Sequence, residues 1–142
     1  SKPLAEKRGI NISINKKEHK YKNYSSAIEF VITNEEGKKI YVVGTIGMNN
    51  EERIISIKNH DVDMAISDNM IYLGNEDVPG VIGAVGATLG KENINIATMN
   101  VGRRENSAIM LLTVDSEVGR RSLKELRGLS QIKWAHYLDL TI

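Results

Sequence analysis

The sequence predicts an α+β chain in two parts, a β-rich meander followed by a βαββαβ unit, and three observations carry that prediction. Through about Asp63, apolar residues alternate with a period of two between polar turns that hold glycine or asparagine. From Ser67 the rhythm changes, and two stretches with apolar residues at helical spacing interleave with four strand-like segments. Of the 142 residues 41% are hydrophobic, which is enough for a real core, and only two are proline, so no long disordered linker is expected.

In the first part, residues 1–8 tolerate a short helix that Gly9 ends, and Ile10-Asn-Ile-Ser-Ile14 alternates as a half-buried strand. Residues 16–23 are polar and lysine-rich, a solvated loop, before residues 27–33 resume β character. Asn34-Glu-Glu-Gly37 has hairpin chemistry, because its glycine accepts the positive φ of a tight turn, so residues 39–46 become the antiparallel partner. A second turn over residues 47–50 leads to a strand over 53–58. Asn59-His60 then turns into Asp61-Val-Asp-Met64.

In the second part, residues 70–73 form a short apolar strand and 75–79 a loop. Residues 80–92 carry Val81, Ile82, Val85 and Leu89 at helical spacing, with Pro79 in the opening turn, where its missing N–H costs nothing. Residues 94–101 and 108–114 read as strands joined around Arg103-Arg-Glu-Asn-Ser107. A helix over 118–126, ended by Gly128, precedes a last strand over 132–140. Ile132, Trp134, His136, Leu138 and Leu140 are expected on one face of that strand. This order is that of a ferredoxin-like sheet, four antiparallel strands with two helices on one face, and it sets a domain boundary near residues 65–67.

Composition removes several functions. A net charge of +1 gives no field to attract nucleic acid or an anionic membrane, and the absence of cysteine removes thiolate catalysis, disulfides and cysteine-bound metals. The apolar runs are too short to span a bilayer and the first residues lack a signal-peptide core, so the expected location is the cytoplasm. His19, His60 and His136 have no metal-pair or catalytic spacing and read as structural. His60-Asp-Val-Asp63 is better explained by solvated carboxylates than by a cation site. No catalytic and no metal-binding residue is assigned.

The remaining motifs cluster around the first helix. Gly80, Gly83, Gly86 and Gly90 follow neither a dinucleotide nor a P-loop spacing, and each glycine inside a helix costs about 1 kcal/mol relative to alanine, so close approach of a packed neighbour is the expected compensation. Asp77 stands before Val78-Pro79-Gly80. By residue type it is a helix cap, while functionally its carboxylate suits an ammonium group and the free amides beyond it suit a carboxylate, together the two halves of an amino acid. Asn95 is an ordinary turn residue that also offers a donor and an acceptor at the start of the second strand. The Arg103-Arg104 and Arg120-Arg121 pairs could bind an anion, yet both fall at turn or helix-start positions where solvated charge is ordinary.

Taken together, Asn75-Glu-Asp-Val-Pro-Gly-Val-Ile-Gly83, Leu89-Gly-Lys-Glu-Asn-Ile-Asn-Ile-Ala-Thr-Met99 and Gly102-Arg103 resemble an ACT domain, the small-molecule sensor appended to many enzymes of amino-acid metabolism. Pro3-Leu-Ala-Glu-Lys-Arg-Gly-Ile10, Val43-Gly-Thr-Ile-Gly47 and Glu52-Arg-Ile-Ile-Ser-Ile57 resemble the second half of the allosteric substrate-binding (ASB) domain that precedes ACT in the long-form D-3-phosphoglycerate dehydrogenase family. The resemblance implies a partial ASB domain over residues 1–66 and an ACT domain over 67–142. It implies a regulatory fragment whose effector is L-serine or a similar amino acid, bound by Asn75, Asp77 and Asn95 with backbone help from Val78, Pro79, Gly80, Val81 and Ile82. It further implies a homodimer through the ACT domains and catalytic domains, with their NAD, elsewhere in the same polypeptide; this chain carries no cofactor of its own. The corresponding region of the L-serine dehydratase β chain is the second family with this pairing.

Overall fold

The computed structural model describes residues 11–15, 27–33, 39–46, 50–58 and 60–139. The helix expected over residues 1–8, the loop over 16–23, the hairpin turn over 34–37, most of the turn over 47–50 and Leu140 lie outside them. The chain divides into two compact units, residues 1–66 and 67–141.

The first unit is an antiparallel meander of β1 (Asn11–Asn15), β2 (Ile28–Thr33), β3 (Lys39–Ile46), β4 (Glu52–Ile57) and β5 (His60–Ala65), hydrogen-bonded in chain order. Alternation is plain in β3, where Ile40 and Val42 are buried between exposed Lys39 and Tyr41. In β4 the register shifts between Ile54 and Ser56, and the bulge leaves four consecutive residues, Ile54 to Ile57, buried. His60 opens β5 instead of belonging to the turn. Lys58, at φ 47°, begins the reversal, and its carbonyl lies 3.0 Å from His60 Nδ1. Asp63 accepts a hydrogen bond from Arg53 Nε at 2.6 Å and Glu51 accepts one from Nη1 at 2.8 Å, which raises the Arg53 pKa above its ordinary value. Among the described residues no group of three or more His, Cys, Asp or Glu side chains is arranged to hold a metal ion.

The second unit comprises β6 (Asn69–Glu76), α1 (Val81–Lys91), β7 (Ile96–Arg104), β8 (Ser107–Val114), α2 (Arg120–Gly128) and β9 (Ile132–Asp139). Its sheet has the order β7-β8-β6-β9, all pairs antiparallel, which is the ferredoxin-like arrangement. β6 is central, and Met70, Ile71, Tyr72 and Leu73 are all fully buried. Ile71, Leu73, Met110, Leu112 and Val114 form one core with Val81, Val85 and Leu89 of α1 and Leu126 of α2. Burial of the Tyr72 phenol, whose hydroxyl has no hydrogen-bond partner among the described residues, raises its pKa far above the ordinary tyrosine range.

Local chemistry explains the helix ends. α1 stops in a Schellman motif: Asn93 takes a left-handed φ of 57°, its N–H donates to Gly90 O, the Ile94 N–H donates to Leu89 O, and the Ile94 side chain is buried. α2 is tied to β9 by Arg127, whose Nε and Nη2 both donate to Ala135 O at 3.0 and 2.8 Å. Gly128 is the last helical residue, and Leu129 is the cap.

Two expectations are corrected in this unit. The single apolar face of β9 is broken by a register shift opposite Gly74 and Asn75, so Ile132, Ala135 and Tyr137 join the helix-side core, while Trp134 packs against Tyr72 with the rings tilted by 57° and their centroids 4.6 Å apart. The glycines of α1 make no close approach among the described residues. A Cβ at Gly83, Gly86 or Gly90 would meet nothing within 4 Å. Among the described residues no helix is long and apolar enough to cross a membrane.

Candidate functional site

Strand register builds one end of the second unit. Asn75 of β6 lies opposite Ala108 of β8, and Ala108 lies opposite Arg103 of β7. Directly opposed residues share a face of the sheet, so Asn75, Ala108 and Arg103 form one row of three strands, about 10 Å across at the usual strand spacing. Alternation puts this row on the side that Leu73 and Met110 present to the helices. Ala108 is small and buried, and the row ends at the edge strand with the long, exposed Arg103 side chain.

The chain leaves β6 at Glu76, passes Asp77, Val78 and Pro79, and enters α1 through Gly80 at φ 90°. The first i→i−4 bond runs from Ala84 N–H to Gly80 O at 3.0 Å, so the amides of Val81, Ile82 and Gly83 precede the helical ladder. No side chain caps them and no acidic residue sits in the first turn, which leaves the positive end of the helix uncompensated by its own sequence. Residues 77–82 and Arg103 line a cleft of about 360 Å³ at this helix start. Val78 and Ile82, 44% and 52% exposed, give it apolar walls, and Asp77 faces Arg103 at 3.3 Å between Oδ1 and Nε.

The structure gathers Asp77, Val78, Pro79, Gly80, Val81 and Ile82 in one cleft. Asn75 is not in a loop, as the sequence suggests, but near the end of β6, because the strand pairs on both sides through that residue. It is buried, its Nδ2 donates to Glu76 O at 2.7 Å, and its Oδ1 has no partner among the described residues. Asp77 is not the helix cap, since the cap is Gly80, and Pro79 stands one residue before that cap instead of in the opening turn. Asn95 is not beside the cleft within one chain. It follows α1, whose 11 residues span about 16 Å, and its Nδ2 donates to Asp115 Oδ2 at 2.6 Å. Arg103, which the sequence places in a turn as solvated charge, is exposed but stands in a strand at the cleft. The connection between β7 and β8 turns at Glu105 and Asn106, so both arginines lie in the strand and Arg103 reaches the cleft.

A carboxylate, a guanidinium, the free amides of Val81 and Ile82 and two apolar walls suit a small zwitterion. A four-stranded antiparallel sheet in this order, with two helices packed on it, is the ferredoxin-like fold, and residues 69–131 match the ACT domain family. The chain as a whole is homologous to the C-terminal region of D-3-phosphoglycerate dehydrogenases. It is 39% identical over 144 residues to that of Archaeoglobus fulgidus, covering 99% of this chain and 27% of the relative. The Bacillus subtilis enzyme is 34% identical over 139 residues (96% and 26%), and the Methanocaldococcus jannaschii enzyme 33% over 140 residues (96% and 26%). The chain thus spans about a quarter of the length of these relatives.

Proposed function

We propose that this chain is the regulatory region of a cytoplasmic D-3-phosphoglycerate dehydrogenase and that its ACT unit senses L-serine, giving feedback control of serine biosynthesis. In this reading residues 1–66 are the second half of an ASB domain, residues 67–142 are the ACT domain, and the catalytic domains with their NAD belong to the rest of the polypeptide. The observation that carries the reading is the cleft at the α1 start, where Asp77 can accept from an ammonium group while the uncapped amides of Val81 and Ile82 donate to a carboxylate.

Asn95 enters through a second copy of the chain. In an isologous dimer two α1 helices that pair antiparallel across Gly83, Gly86 and Gly90 bring the far end of one helix to the near end of the other, so Asn95 of one copy meets the cleft of its partner. The open space at those glycines supports such an approach. A charged hydrogen bond contributes about 1.5–3 kcal/mol, or roughly tenfold to more than a hundredfold in affinity, so Asp77→Ala and Asn95→Ala each weaken L-serine at least about tenfold. Arg121→Ala, whose guanidinium pairs with Glu92 and Glu125, binds as the parent does. Parent-like affinity in Asp77→Ala refutes the cleft as the serine site, and the same result in Asn95→Ala removes the two-copy arrangement.

A further inference from the structure

We infer that Arg103 is the carboxylate receptor of the cleft, and that its ion pair with Asp77 is the latch an α-amino acid zwitterion exchanges on binding. The inference rests on the amino-acid-sensing reading above and names the chemical class that the site accepts.

The register brings Arg103 to this position. From the end of the row Asn75, Ala108 and Arg103, its side chain reaches the cleft at the start of α1 and pairs with Asp77. The Asp77 to Arg103 separation of 3.3 Å, with side chains 33% and 72% exposed, is that of a solvated pair. Such pairs are weak and are exchanged without a large penalty. In the free protein each charge answers the other. A zwitterion offers an ammonium to Asp77 and a carboxylate to Arg103, so one ion pair is replaced by two and the net charge of the cleft is unchanged. A lone amine or a lone carboxylate satisfies only one side and leaves the other charge without its partner. Arginine suits the task because its planar fork matches a carboxylate with two parallel N–H donors, whereas lysine supplies a point charge. The uncapped amides of α1 reinforce the same end of the ligand.

A specificity of this kind has a signature that a merely structural arginine lacks, namely opposite shifts for two ligands. Titration calorimetry on the full chain compares L-serine with ethanolamine, which keeps the ammonium and hydroxyl groups and lacks the carboxylate. In Arg103→Gln, L-serine weakens at least about tenfold, as expected for loss of a charged hydrogen bond. Ethanolamine binds several-fold more tightly, because Asp77 no longer has an internal cation to displace. Arg103→Lys recovers part of the serine affinity. Thermal melting of both variants at the parent temperature confirms that the fold is kept. Parent-like serine affinity in Arg103→Gln, or a parallel fall for both ligands, overturns the assignment and leaves the amino-acid reading intact. Failure of the parent chain to bind any amino acid overturns both, and Arg103 is then a surface ion-pair partner of Asp77.

Discussion

Gly80 sets the direction in which the start of α1 points. Its φ of 90° lies where L side chains carry a penalty of about 1–2 kcal/mol, and nothing lies within 4 Å of the position a Cβ would take. Gly80→Ala therefore destabilises the second unit by about that amount through backbone strain alone, read as a lower urea midpoint at unchanged slope. An unchanged midpoint contradicts the left-handed cap. Part of this site is legible in the sequence, because Asp77, Pro79 and Gly80 are turn and helix-start residues whatever their partners. The placement of Arg103 at the cleft and of Asn75 inside a strand is not. Whether an arginine is solvated or faces a cleft depends on the strand register two positions away, and the buried, unpartnered Oδ1 of Asn75 depends on how far β6 continues.

At the level of elements, α1 is the segment whose sequence departs from its own propensity. Gly83, Gly86 and Gly90 together cost about 3 kcal/mol against alanine, and within the chain no neighbour occupies the space they leave. An antiparallel pairing of two α1 helices is the compensation that fits. Gly83→Ala then stabilises the dilute monomer by about 1 kcal/mol, whereas Gly83→Leu fills the contact and keeps the chain monomeric. Light scattering at tens of micromolar decides this: a parent that is monomeric there with and without L-serine, or a Gly83→Leu chain that is still dimeric, rules out the helix pairing. Most element positions follow from periodicity alone, and β3 occupies the predicted residues 39–46. The misreadings have local causes. Pairing with β8 and β9 carries β6 through the polar Asn75 and Glu76, and the register shift in β9 defeats simple alternation after Ile132. The α1 glycines have no packed neighbour among the described residues of one chain, and periodicity does not reveal which helix face another surface covers.

For the whole molecule, homology extends through both units to the C-terminal region of enzymes about four times as long, while the described residues bring together a cleft suited to a small zwitterion. The central claim is that this cleft binds L-serine. Titration calorimetry of the 142-residue chain with L-serine, glycine and phenylalanine tests it most directly. L-serine binds saturably, glycine, which lacks the hydroxyl group, binds more weakly, and phenylalanine more weakly still. Absence of binding for all three amino acids, or phenylalanine bound as tightly as L-serine, contradicts it.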